Sequence, residues 1–185
     1  MCIMKYGELT LGQIEAVVNK LGGMNGVNKL LSGELVVKEM ENQRQTSMVI
    51  VDYSQTLAQM IKAGNYGWVN NDITQEHFPI AGSGKQEEEI VLFCFGKNIS
   101  SGDAIAEMEK QGFRSARIEE LLALGAAYPE LQKQFPIVAL GSVWRAPASS
   151  RRVPALDWSG GERGLALDWF GDDWGGSWRF AAVRK

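Results

Sequence analysis

The sequence predicts a mixed α+β fold, and three observations lead to this class. Apolar, β-branched runs suited to buried strands occur at 48–53, 89–95 and 136–143, with helical patterns before and between them. From Val143 onward, short alternating segments follow one another between glycine-rich turns, which is typical of a small antiparallel sheet. The order of strand, helices, strand and then several strands favours α+β over a doubly wound parallel sheet.

Residues 1–46 are predicted to form a helical N-terminal appendage that ends in a polar linker. Between residues 9 and 21, apolar side chains recur at helical spacing and form one stripe, made of Leu11, Ile14, Val17, Val18 and Leu21. Gly22 and Gly23 end this helix, and Asn25 is placed to cap a second short one.

Residues 47–185 are predicted to form the main domain. After the first strand, Ser54 is expected to cap a helix that runs through Ala63. A second helix is expected at 100–113, and a third at 116–135 with a break before Pro129.

Composition excludes several functional classes. The 185 residues carry a net charge of −3, which argues against a nucleic-acid partner because general phosphate binders are basic. No apolar run approaches the ~20 residues that span a bilayer, and the start lacks a signal-peptide pattern, so membrane insertion is not expected. The two cysteines and single histidine provide no zinc ligand set, a disulfide between Cys2 and Cys94 is not expected, and no cofactor is predicted.

The C-terminal segment has an unusual composition. Five of the six tryptophans lie in residues 144–185, and lysine is absent there until Lys185. Apolar residues that can anchor a core recur at Val153, Leu156, Leu165, Leu167, Phe170, Trp174, Phe180 and Val183. Small or polar residues stand between them, and we expect these to face solvent. Tryptophan and arginine are common binding anchors, so a recognition surface at about 144–180 is predicted.

Four acidic residues in this segment, Asp157, Asp168, Asp172 and Asp173, allow two interpretations. Their spacing matches no EF-hand loop, so no metal site is predicted. They are expected to be solvated loop acids, paired with Arg151, Arg152 or Arg179. The alternative is that two of them form a glycosidase pair. His77, before Phe78 and Pro79, is interpreted as a loop residue and not as a catalytic base.

The C-terminal half resembles the variable proteins of diversity-generating retroelements. The resemblance is carried by RIEELLALG at 117–125, PIVALGSVWR at 136–145, RRVPALDW at 151–158, GLALDWF at 164–170 and WRFAAVRK at 178–185. It implies a C-type-lectin-like fold with small antiparallel sheets, two helices and a Gly/Trp-rich strand-loop region. It also implies that an error-prone reverse transcriptase rewrites adenines in the 3′ part of the gene. Asparagine codons then become Ala, Asp, Gly, Ser or Arg codons, but not Trp codons.

The chain departs from calcium-dependent lectins, because it has no Glu-Pro-Asn or Gln-Pro-Asp triplet and no matching cysteine pair. We therefore expect a ligand-binding protein and not an enzyme, with a protein or surface ligand as partner. The N-terminal helices are expected to make an oligomer or to attach the domain to a larger assembly, such as a virion or cell-surface structure. The predicted ligand-binding residues are Ala155, Asp157, Trp158, Ser159, Gly160, Ala166, Asp168, Trp169, Gly171, Gly175, Ser177 and Trp178. The alternatives are a carbohydrate-active hydrolase and a structural subunit with buried tryptophans.

Overall fold

The computed structural model describes residues 10–35 and 44–185. The chain divides into two compact units, Met1–Glu41 and Asn42–Lys185. Cys2 and most of the predicted polar linker lie outside the described residues. No helix in the described ranges is both long enough and apolar enough to cross a membrane.

The first unit contains two short helices, α1 (Leu11–Lys20) and α2 (Gly23–Leu31). Thr10 caps α1 by a reciprocal pair of hydrogen bonds with Gln13, and Gly22 turns the chain with a positive φ of 86°. Because α2 already begins at Gly23, the prediction that Asn25 caps it is wrong. The apolar residues Leu11, Ile14, Val17, Met24 and Leu31 are exposed, so the stripe predicted for α1 is not covered by α2.

The second unit confirms the α+β class. Its strands are β1 (Gln45–Asp52), β2 (Trp68–Val69), β3 (Lys85–Phe93), β4 (Ile99–Ser100), β5 (Phe113–Ser115), β6 (Ile137–Val138), β7 (Trp144–Arg145), β8 (Arg151–Ser159), β9 (Glu162–Trp169), β10 (Asp173–Trp174) and β11 (Arg179–Arg184). Its helices are α3 (Leu57–Gly64), α4 (Ser101–Lys110), α5 (Ile118–Ala127) and the short α6 (Leu131–Gln134).

One nine-stranded sheet organises this unit, in the order β1-β3-β11-β6-β8-β9-β2, with β5 added on β11 and β7 on β8. Most pairs are antiparallel, but β11 with β6 and β2 with β9 are parallel. β10 and β4 form a separate two-stranded sheet. The unit therefore has a larger, mixed sheet and more helices than the two helices and small antiparallel sheets that the resemblance implies.

The large sheet has a hydrophobic core on each face. On one side, which we call the α5 face, Leu92, Ile137, Leu156 and Leu165 pack with residues of α3 and α5. On the other side, the α4 face, Phe93, Phe180, Val153 and Ala155 pack with Met108 of α4 and with Trp174 of the small sheet. Burial on both faces explains the continuous apolar runs within the central strands, at 90–93 in β3, 153–156 in β8 and 180–183 in β11.

Local capping corrects one predicted boundary. Thr56 caps α3 through a reciprocal pair of bonds with Gln59, whereas the predicted cap, Ser54, bonds instead to the carboxylate of Asp52. The predicted break near Pro129 is confirmed, because α5 ends at Ala127 and α6 begins at Leu131.

Candidate functional site

The hairpin formed by β8 and β9 carries most of the predicted site residues. Residues directly opposite each other in an antiparallel pair have their side chains on the same face of the sheet. Leu156 lies opposite Leu165 on the α5 face, while Ala155 lies opposite Ala166 on the α4 face. Alternation along the strands places Trp158 and Trp169 on the α5 face. By the same rule, Asp157, Ser159, Ala166 and Asp168 lie on the α4 face.

The predicted outward orientation of Ala155 is wrong. This residue is fully buried in the core on the α4 face, where α4 and the small sheet cover that end of the hairpin. Trp178 is half-buried and packs edge-on against Trp174 with ring centroids 4.7 Å apart, so it belongs partly to the same core.

The other predicted site residues reach solvent to different degrees. Trp158 and Trp169 are 42% and 46% exposed. The exposed small residues are Ser159, Gly160, Gly171 and Ser177. The half-buried ones are Asp157, Ala166, Asp168 and Gly175. Among the predicted anchors, all but the half-buried Phe170 are buried, which confirms the expected core of this segment.

An open cleft of about 1010 Å³ lies at one end of the hairpin, and we call it the tryptophan cleft. Trp169 lines one side of it, with the guanidinium carbon of Arg152 3.6 Å from the indole ring centroid. Trp144 lines it as well, stacked on the ring of His77 at a centroid distance of 4.2 Å and an interplanar angle of 18°. The exposed Arg145 lies beside them.

A hydrogen bond to a backbone carbonyl holds the His77 ring in place. Its Nδ1 atom lies 2.8 Å from the carbonyl oxygen of Asp72, and only a protonated nitrogen can bond to that acceptor. Nδ1 therefore donates, and the stacked ring is fixed beside the cleft. His77 does lie in a loop, as predicted, but its position against Trp144 was missed. No local pattern indicates a contact between residues so far apart in the chain.

A smaller cleft of about 340 Å³ lies on the α4 face, beside Trp68, Asp157 and Glu162. Burial raises the pKa of Asp157, and one of its carboxylate oxygens, Oδ1, is buried without a hydrogen-bond partner among the described residues. Burial, followed by the charge of Asp157, raises the pKa of Asp168. These two acids therefore share one weakly solvated region.

The predicted ion pairs between the C-terminal acids and Arg151, Arg152 or Arg179 are wrong, since no such pair lies within salt-bridge distance among the described residues. The three guanidinium groups lie instead over aromatic rings, those of Phe170, Trp169 and Phe135. A guanidinium is weakly hydrated and stacks well on such rings, which explains the preference.

Two polar side chains brace the hairpin against the helices. Arg163 of β9 donates hydrogen bonds to the carbonyl oxygens of Gly64 and Gly125, at the ends of α3 and α5, and to Gln132 Oε1 at 3.0 Å. Gln132 in turn donates to the carbonyl oxygens of Asp157 and Gly164. These bonds fix the base from which the exposed residues project, and nothing in the local sequence pattern predicted them.

In the described part of the chain, no group of three His, Cys, Asp or Glu side chains is placed to hold a metal ion. The tryptophan cleft is lined by side chains that can form stacking, hydrogen-bond and ionic contacts: two indoles, two guanidiniums and the acids Asp72 and Glu76. A scan against protein-family models, a search of curated proteins and a search of solved structures found no match to this chain.

Proposed function

We propose that this protein is a ligand-binding protein that displays a changeable surface on a C-type-lectin-like scaffold, in the manner of the variable proteins of diversity-generating retroelements. The observation that carries the proposal is the tryptophan cleft. It combines the exposed Trp169 and the half-buried Arg152 of the hairpin with the exposed Arg145 of β7, while the aliphatic side chains of the hairpin are buried. Tryptophan and arginine provide most of the binding energy at many protein interfaces.

The cleft suits a protein or surface ligand. Its volume of about 1010 Å³ lies at the upper end of the range for small-molecule sites, and it is open to solvent. The two stacked pairs, Arg152 on Trp169 and His77 on Trp144, present flat surfaces that are already ordered. Because such side chains lose little freedom on binding, they favour tight contact with a protruding loop.

The hairpin and the segment just before it contain both buried residues that hold the fold and surface residues that can differ. Substitutions at exposed positions usually change the free energy of unfolding by less than ~0.5 kcal/mol, whereas truncation of core residues costs several times more. Arg145, Ala146, Ser150 and Arg152 border the cleft. They are the positions at which we expect variation to be tolerated.

The first unit provides the attachment in this proposal. Its exposed apolar residues, which include Leu11, Val17 and Leu31, would be covered by self-association or by a larger assembly on a virion or cell surface.

A display experiment tests the binding function. One library randomises four positions that border the cleft, Arg145, Ala146, Ser150 and Arg152, and a matched library randomises four buried positions, Val153, Leu156, Leu165 and Leu167. We expect most members of the first library, and few of the second, to resist proteolysis, and selection of the first on purified protein baits to yield binders. Equal protease sensitivity of the two libraries, or no binders from the first, would refute the proposal.

The genome tests the origin of the variation separately. We expect a reverse-transcriptase gene near this gene, together with a near-copy of its 3′ end that differs only at adenines. Absence of both would refute the retroelement origin of the variation. The binding function would still be tested by the display experiment.

One observation supports a hydrolase as the second candidate. Asp157 and Asp168 share the α4 face, and both have raised pKa values, as a general acid requires. Replacing each by Asn and screening glycosides tests this candidate, which fails if the unmodified protein cleaves none of them. The structural-subunit alternative expected buried tryptophans, and the exposure of Trp68, Trp158 and Trp169 argues against it.

A further inference from the structure

A second cleft lies at the opposite edge of the large sheet, away from the tryptophan cleft. It runs between the edge strand β1 and the helices α3 and α5, and its volume is about 440 Å³. Val49, Val51, Met60 and Leu122 line it, together with Ala126. This volume and apolar lining are those of a site for a small molecule.

One buried carboxylate in this cleft lacks a partner. Glu119 is 1% exposed, and its Oε1 atom accepts a hydrogen bond of 2.6 Å from the backbone N–H of Ala81. Its Oε2 atom is buried and has no hydrogen-bond partner among the described residues. An unpaired buried carboxylate oxygen destabilises a fold, and Glu119 is one of the residues that line the cleft, so this oxygen calls for a donor that the described residues do not provide.

The next residue, Glu120, is a buried carboxylate whose hydrogen bonds are satisfied. It accepts hydrogen bonds from the Arg114 guanidinium at 2.6 and 3.0 Å, the Tyr53 hydroxyl at 3.3 Å and the Arg117 N–H at 2.6 Å. The fold thus provides Glu120 with a full set of donors. Within the described ranges it provides Glu119 with one donor, the Ala81 N–H.

The charge around the cleft favours a cation. Asp52 also lines it, and the ammonium group of its partner Lys85 lies 3.6 Å away on a side chain that is 72% exposed. An ion pair with so exposed a partner is weak. The two acids therefore place negative charge beside an apolar wall.

We propose that this cleft binds a small amphipathic amine. The ammonium group donates a hydrogen bond to Glu119 Oε2, and the apolar part of the ligand lies along Val49 and Leu122. Hydrogen bonds to charged groups in a buried setting are stronger than neutral ones, so the head group determines which ligands are accepted. The site is separate from the tryptophan cleft and does not depend on the function proposed for it.

Titration of the full chain with n-hexylammonium, followed by amide NMR shifts, tests the proposal. We expect saturable shifts confined to β1, α3 and α5. We expect 1-hexanol to bind at least about tenfold more weakly, because it carries no charge, and hexanoate to cause no saturable shift. Glu119→Gln keeps an acceptor for the Ala81 N–H and is expected to weaken amine binding by about tenfold or more. Glu130→Gln, on an exposed residue outside the cleft, is the matched control and should bind as the unmodified chain does.

A second variant keeps the proposal testable if Glu119→Gln fails to fold. Ala126 lies at an exposed helix position that lines the cleft, so Ala126→Leu narrows the cleft and leaves the Glu119 carboxylate unchanged. We expect it to abolish the saturable shifts while the dispersion of the spectrum is preserved. Absence of saturable amine binding, unchanged affinity in Glu119→Gln, or unchanged affinity in a folded Ala126→Leu variant would each overturn the proposal.

Discussion

The division between anchoring and displayed tryptophans is testable with two substitutions of the same kind. Trp174 is 3% exposed, and its indole N–H donates a hydrogen bond of 2.8 Å to Ser101 Oγ. Trp169 is 46% exposed and faces an open cleft. Replacing each by alanine removes the same atoms from two different environments.

The expected costs differ by at least a factor of two. Trp174→Ala leaves a closed cavity between Trp178 and Phe180, which costs about 3–5 kcal/mol, and the lost hydrogen bond adds about 1 kcal/mol. Trp169→Ala leaves no closed cavity. It loses part of the ring's burial and the contact with Arg152, so its expected cost is about 1–2 kcal/mol.

Urea unfolding followed by far-ultraviolet circular dichroism measures both costs, and this signal avoids comparing proteins with different numbers of fluorophores. Trp158→Ala, at another exposed tryptophan, is the control and should resemble Trp169→Ala. The reasoning is refuted if the loss of Trp169 lowers the free energy of unfolding as much as the loss of Trp174.

Three further predictions concern the brace, the acidic region and the first unit. Arg163→Ala removes three hydrogen bonds and should lower the free energy of unfolding by about 3–5 kcal/mol, whereas Arg152→Ala should cost less than about 1 kcal/mol; equal urea midpoints would contradict this. The pKa of Asp168 is raised in the folded state above its ordinary value of about 3.9. At a pH between these two pKa values, the folded state binds more protons than the unfolded state, so the free energy of unfolding falls as the pH rises through this window. Asp168→Asn should therefore be more stable than the unmodified chain at neutral pH and lose this dependence, as urea midpoints across pH will show; a less stable variant would count against it. Replacing Ile14 and Val17 together by glutamate should lower the molar mass measured by light scattering, and an unchanged mass would mean that these side chains do not mediate self-association.

The fold class was predictable because it depends on local patterns. The strand at β1, the helices α4 and α5 and the break at Pro129 follow from periodicity and from proline chemistry within a few residues. The parallel pair of β2 with β9 was not predictable, because its short strand lies in a loop-rich segment far from β9 in the chain.

The candidate site was predicted in composition but not in arrangement. A small residue such as Ala155 is compatible with a surface or with a tightly packed interior, and only the presence of α4 above it decides between them. The stack of His77 on Trp144 and the brace formed by Arg163 are tertiary contacts between distant segments. Their residue types are known from the sequence, but their neighbours are not.

The position of β11 has a consequence for synthesis of the protein. This strand follows the hairpin in the chain yet lies inside the sheet, between β3 and β6, with Ala181 and Ala182 buried. A product that stops early, or shifts its reading frame within the hairpin, leaves two sheet edges without a partner and exposes both cores. Such products cannot close the sheet, and we expect proteases to degrade them more readily than the full chain.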